Sequence, residues 1–303
     1  MPDCIFAPPS RVGATSEIHD INNDTERAEM TRKLAFVAMA GSLGAVAFLT
    51  LGIALAGASW ADASRLLGMG KSTCGPANST SRQRTLPLTA TDSFSIHIPA
   101  NVHYQPGDMA EVVIARDPAL LDHVRLEAGQ LGLDCDPGWF ASRLDVKLSG
   151  PSITNWELRG SGVLNLSQIN QPKLALAIKG SGSVYVDGTL DDVKVNISGS
   201  GDTELRGLTA KSVQLEIRGS GSVSANGTAD EVDVNISGAG DAALRKLTAK
   251  SVRVNIQGSG DASLTAQVDA DVFVSGSGDV ELSGGPVMRR SEVRGSGSIR
   301  QVP

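Results

Sequence analysis

Asp202, Asp241, Asp261 and Asp279 each stand directly after a Gly-X-Gly tripeptide, and Ser183, Ser222 and Ser298 hold the equivalent place elsewhere. If the tripeptides stack, Asp241, Asp261 and Asp279 fall on successive layers about 4.8 Å apart. Like charges at that spacing repel by roughly 1 kcal/mol in water, and Ca²⁺, which prefers carboxylate oxygens, would relieve them. The competing and stronger reading is that Asp and Ser accept hydrogen bonds from turn backbone. The four histidines, His19, His97, His103 and His123, all lie outside the repeat. His97 and His103 are expected on neighbouring strands, but no Cys or acid stands at ligand spacing, so they read as surface or packing residues. Gly70-Lys71-Ser72 has Arg65 where a phosphate loop requires glycine, and is set aside. No catalytic, cofactor or metal residue is assigned.

A second surface offers recognition rather than catalysis. Lys194, Asn196, Arg218, Asn235, Arg253 and Asn255 alternate with apolar residues. Stacked, they would form a polar ladder able to bind an extended glycan or peptide, or simply a solvated sheet face. The formal net charge of −6 gives nucleic-acid binding no support.

The elements that must position these residues follow from the tripeptide itself. Its first glycines are Gly160, Gly180, Gly199, Gly219, Gly238, Gly258, Gly276 and Gly295, and successive starts differ by 18 to 20 residues. Such a period marks a stacked array of short units, none able to bury its apolar face alone. Two residues before the tripeptides stand Ile178, Ile197, Ile217, Ile236, Ile256 and Val274; four before stand Leu176, Val195, Leu215, Val234, Val254 and Val272. Polar residues lie between them, which is the alternation of a half-buried strand. A weaker strand follows each glycine corner. Connectors are clearest at Leu208–Ser212 and Leu247–Ser251. Like residues stack on like only if each rung repeats one path, so a parallel β-helix is expected rather than a meander. Right-handed crossovers are strongly preferred. Arg289, Ser291 and Gln301 interrupt the apolar columns, so the last rung reads as a polar cap.

Upstream, residues 1–33 are polar and read as a disordered cytoplasmic tail. Residues 34–61 carry no charge and are long enough to span a bilayer. Arg32 and Lys33 precede them, consistent with a cytoplasmic N-terminus. The segment reads as a transmembrane anchor or an uncleaved signal, with a cleavable signal peptide as the competitor. Residues 62–84 read as a linker and 85–150 as irregular opening rungs with strands at Phe94–Ile98, Val102–Tyr104, Glu111–Ala115, Val124–Glu127 and Leu144–Leu148. Regular rungs fill 151–303. Beyond the membrane, an oxidising compartment would permit a Cys74–Cys135 disulfide tying linker to first rungs. Two separate thiols are the alternative.

The strand–GSG(D/S)–strand pattern, with FSIHIPANVHYQPG at Phe94–Gly107 and EVVIARDPALLDHVRLEAGQLGLD after it, resembles the bacterial auto-transporter adhesin head, or GIN, domain family. The similarity covers about residues 84 to 300. It implies a single-stranded right-handed parallel β-helix and an envelope location, and it implies no demonstrated activity. Together these readings describe an all-β protein preceded by one transmembrane helix. It would sit in the bacterial inner membrane, single-pass, with its β-helix in the periplasm or outside the cell. Its expected role is a non-enzymatic adhesin-like module binding envelope glycan, peptidoglycan or protein. A self-associating scaffold and, less favoured, a polysaccharide-acting enzyme are the alternatives.

Overall fold

The computed structural model describes Cys74 and residues 81–116, 118–137 and 143–303. The tail and apolar segment at 1–61 lie outside the described residues, as does most of the expected linker. Among the described residues no helix is long and apolar enough to cross a membrane. Among the described residues the architecture is all-β apart from one helical turn, α1 (Pro118–Leu121).

The regular part is a β-solenoid. Its rungs are β8 (Asn155–Gly160), β9 (Val163–Gly180), β10 (Ser183–Gly199), β11 (Asp202–Gly219), β12 (Ser222–Gly238), β13 (Asp241–Gly258), β14 (Ala262–Gly276), β15 (Asp279–Ser283), β16 (Val287–Gly295) and β17 (Ser298–Gln301). Each pairs in parallel with the next layer, and like falls on like. Ile178, Ile197, Ile217, Ile236 and Ile256 are register partners in one column, each at most 1 % exposed. Burying each such side chain contributes roughly 1.5–3 kcal/mol. The two strands expected per rung are in fact one continuous strand of 15 to 18 residues from β9 to β14. The expected connectors lie inside it. The bend is made by register shifts, such as Leu205/Leu208 and Leu244/Thr248, because an extra residue curves a strand without ending its ladder.

The corners need glycine for two reasons. Gly219 has φ +125°, and a Cβ placed there would lie 2.3 Å from the carbonyl oxygen of Gly199. Both the left-handed backbone and the close approach exclude a side chain.

The N-terminal part departs from this pattern. It comprises β1 (Gln83–Pro87), β2 (Ser93–Ile96), β3 (Ala100–Pro106), β4 (Glu111–Ala115), β5 (Val124–Glu127), β6 (Gln130–Leu133) and β7 (Leu144–Gly150). The expected strands here are present. β1 and β6 are additional, so the solenoid unit starts two residues before the expected linker ends. The layers are not in chain order. β2 and β3 pair directly with β8 and β9 on one side and with the later β6 and β7 on the other. The chain thus detours outward through β4–β7 before returning inside. Antiparallel β1 and β4 then cover β7, and β5 covers β6. Reversing strand direction at the end of a parallel stack blunts its open edge. The apolar end is plugged by Trp156, whose ring lies 5.4 Å from Phe94 and 5.0 Å from Tyr104. Trp156 Nε1 donates to Ile153 O, and Tyr104 Oη donates to Pro151 O, so the aromatic polar atoms are satisfied within the plug.

At the far end, the spacing assigns Arg289 to the apolar column. A register shift instead pairs Met288 with Ala270, and Arg289 turns outward to Asp269 at 2.8 Å. The last rung is thus less polar inside than its sequence implies.

Candidate functional site

The aspartate column forms as expected, but its hydrogen bonds run between rungs rather than within a turn. Asp241 Oδ1 accepts from the Asp261 N–H at 3.2 Å, Asp261 Oδ1 from the Asp279 N–H at 2.8 Å, and Asp279 Oδ1 from the Ser298 N–H at 2.8 Å. Ser222 and Ser298 hydroxyls donate to Asp202 and Asp279. Each carboxylate therefore carries part of the rung-to-rung ladder at the corner. The column is a structural ladder made of side chains.

The histidines are separated. β2 and β3 are successive segments of one layer, not neighbours as expected. His97 lies 2.8 Å from Gln130 Nε2, and burial, with help from Arg159, pushes its pKa below the ordinary value. His103 pairs with Lys147 and Asn165. His123 Nδ1 contacts Asp134 Oδ1 at 2.7 Å, and Cys135 Sγ is close enough to complete a three-ligand set. That sulfur is bonded to Cys74 across a 5.1 Å Cα–Cα span, so it offers no thiolate to a metal. The expected staple is present, and it ties Cys74, in the expected linker, to the end of β6.

The polar ladder is the feature with shape. On the outer face of the segments that precede each corner, depressions run from β2 to β16. One is bounded by Ser93, Ser95, Asn155, Glu157 and Asn196. The next shares Asn155 and Ala175 and adds Lys173 and Lys194. A third shares Ser212 and Gln214 with it and reaches Arg253, Asp271 and Arg289. Of the six residues named from sequence, Lys194, Asn196 and Arg253 line this trough. Arg218, Asn235 and Asn255 face outward beside it, Asn235 as a register partner of Asn255. Ala175 and Ala177 were missed. Their signal was smallness where other rungs carry larger, nearly always polar side chains, which a search for chemical groups passes over.

Electrostatics differ along the trough. In its C-terminal third, cations are paired, Arg253 with Asp233 at 3.8 Å and Arg289 with Asp269. At its N-terminal end, burial works to raise the Glu157 pKa, but hydrogen bonds from Arg159 and Lys179 outweigh it and hold the carboxyl below its ordinary value. Lys173 and Lys194 join no ion pair with a described residue.

Comparison with known proteins agrees with this architecture. Similar solved structures include one described as a putative adhesin from Parabacteroides merdae (TM-score 0.67, 16% identity, covering 73% of this chain and 95% of that one). A second is described as a putative lipid binding protein from Parabacteroides distasonis (TM-score 0.67, 21% identity, 73% and 96%). A third, a putative adhesin from the same organism, has a TM-score of 0.61 at 22% identity over 78% and 98%. At these identities the likeness speaks for the fold. Curated proteins give no significant match. The family described as "Putative auto-transporter adhesin, head GIN domain" matches residues 92–211 and again 189–286, well over half the chain and across both the plug and the rungs. The chain belongs to that family.

Proposed function

We propose that this protein is a membrane-anchored, extracytoplasmic adhesin-like module of a bacterial envelope. In this reading residues 34–61 hold it in the inner membrane as a single pass, and the solenoid, wound right-handed, projects into the periplasm or beyond. Its task is binding without turnover, and its ligand is an extended envelope glycan, peptidoglycan or protein strand lying in the outer trough.

The observation that carries this reading is the trough itself. It extends as three adjoining depressions over the layers from β2 to β16, lined by amides, hydroxyls and charges at a repeat of about 4.8 Å. A row of evenly spaced hydrogen-bonding groups fits a polymer better than a compact metabolite. The disulfide supports an oxidising location. The aspartate column gives the enzyme alternative little, because its carboxylates accept from backbone N–H groups or a serine hydroxyl of the next rung.

The test has two stages. Protease accessibility of a C-terminally tagged full chain is compared in intact and osmotically opened cells. Cleavage in either state supports the topology, and protection in both overturns it. Purified full chain in detergent micelles is then titrated with glycan and peptidoglycan fragments. Saturable binding supports the module. Turnover of any of these fragments would move the protein to the enzyme alternative, and concentration-dependent assembly without binding would favour a scaffold.

A further inference from the structure

We infer that the N-terminal end of the trough is a subsite for one acidic sugar residue of a polysaccharide. The inference rests on the binding reading above and names the ligand chemistry at that surface.

The shape comes from β9. Ala175 and Ala177 occupy the two outer columns that flank the trough floor, and every other described rung carries a larger side chain in both. Asn155 and Glu157 stand on the layer before, Lys194 and Asn196 on the layer after. Two strand spacings put those flanking backbones roughly 9.5 Å apart. The result is a shelf of two methyl groups between two polar walls. A pyranose ring can lay its C–H face on the methyls and turn its hydroxyls and substituents to the walls. The turn at Ala128–Gly129 closes one end. It is held by the Ser95 N–H bonding to Gly129 O at 2.8 Å, with Ala128 in the left-handed region at φ 47°.

Charge selects the sugar. Lys173 and Lys194 both line the depression on the Ala175 side and have no ion-pair partner among the described residues. Arg159 and Lys179 both hold Glu157. Asp192 is the remaining carboxylate of the depression. The lining itself holds Lys173 and Lys194 against Glu157 and Asp192; because Arg159 and Lys179 already neutralise Glu157, the two unpaired lysines face Asp192 alone, and the local field favours an anion. Asn196 adds a polar handle: its Oδ1, like that of Asn255 three layers along the same column, is buried with no hydrogen-bond partner among the described residues, a state that a ligand hydroxyl relieves once the amide turns toward it. The sugar's carboxylate meets Lys194 and Lys173, its ring rests on Ala175 and Ala177, and its hydroxyls meet Asn155 and Asn196. The surface just past the corner, where Asp241, Asp261, Asp279 and Glu281 stand against Arg300, carries the reverse charge and would repel the same chain.

The experiment is calorimetric titration of the full chain in micelles with short oligogalacturonates, with neutral dextran oligomers and polyglutamate as comparison probes. Saturable, salt-sensitive binding of oligogalacturonate alone is expected. It should weaken about tenfold in Lys194→Gln, the loss of one charge-assisted contact. It should weaken similarly in Ala177→Leu, which fills the shelf from the outside and leaves the melting curve unchanged. Gln257→Leu, on the same face four layers away, should bind as the parent does. Unaltered affinity in both trough variants would overturn the subsite while leaving a binding module elsewhere on the surface. Equal binding of polyglutamate, or preference for dextran, would overturn the acidic-sugar assignment alone. Absence of saturable binding to either glycan class overturns the subsite, and the wider reading then stands or falls on its own peptidoglycan titration.

Discussion

The plugged N-terminal end and the regular rungs bury apolar side chains equally well by opposite means. From β9 to β14 the core is aliphatic and columnar, each layer repeating the last, and glycine corners let the backbones close on one another. Around β1–β8 the core is singular: among aliphatic residues Phe94, Tyr104 and Trp156 pack with their rings tilted by 48° and 56°, strands reverse direction, and a disulfide joins Cys74 to Cys135. A rung in the interior has a partner on both sides and needs only to match it. An end has no partner, so it must be closed by residues chosen for that one place.

The contrast can be broken most sharply at a corner. Gly219→Val puts a β-branched side chain at φ +125° and drives its Cβ into the Gly199 carbonyl. A loss of at least ~3 kcal/mol is expected, read as failure to give a cooperative melt by circular dichroism. Since the stack is quasi-one-dimensional, amide exchange should rise on both sides of β11 and least in the plug. Trp156→Ala tests the plug in turn. It should cost about 3–5 kcal/mol, and denaturant titration should show the N-terminal layers opening before the rungs. If both variants lose stability uniformly, the two regions form one cooperative unit and the contrast is only geometric.

Cys135→Ser has a smaller expected effect, about 2–4 kcal/mol for the loop of 61 residues that the bond closes. Thermal melts with and without reductant should separate for the parent and coincide for the variant. The smallest effect runs the other way. Thr203 is 2 % exposed in the inward column, and its Oγ1 has no hydrogen-bond partner. Its register partners are Val184 and Val223. Thr203→Val removes an unsatisfied hydroxyl at constant shape and should stabilise by ~1 kcal/mol, visible as a raised denaturant midpoint.

The rungs were readable because each position is set by the same two neighbours one layer away, so one rule, repeated, writes itself into the sequence. The isoleucine column, the corner glycines and the aspartate ladder could be named by counting alone. The plug followed no such rule. Its strands could be found from local alternation, but nothing local says that β3 lies between β7 and β9, because that pairing joins segments separated by a long detour. The expected neighbourhood of His97 and His103 failed for the same reason: proximity in sequence put them along one layer, and hydrogen bonding runs between layers.

The trough divides along the same line. Its polar lining is the outward half of an alternation whose other half is buried, so sequence places those side chains outside. The shelf at Ala175 and Ala177 depends on relief, the difference between a residue and its neighbours in the next layers, and relief exists only once register is set. At Met288 and Arg289 a one-residue register shift decided which side chain entered the core, overriding the spacing. What the amino-acid order determined by itself is therefore the repeat, the inward and outward assignment within it, and the residues able to form corners. Tertiary structure alone decided the order of the first layers, the closure of the end, and where along a uniform face the surface becomes a site, because each depends on contacts between segments that no local rule connects.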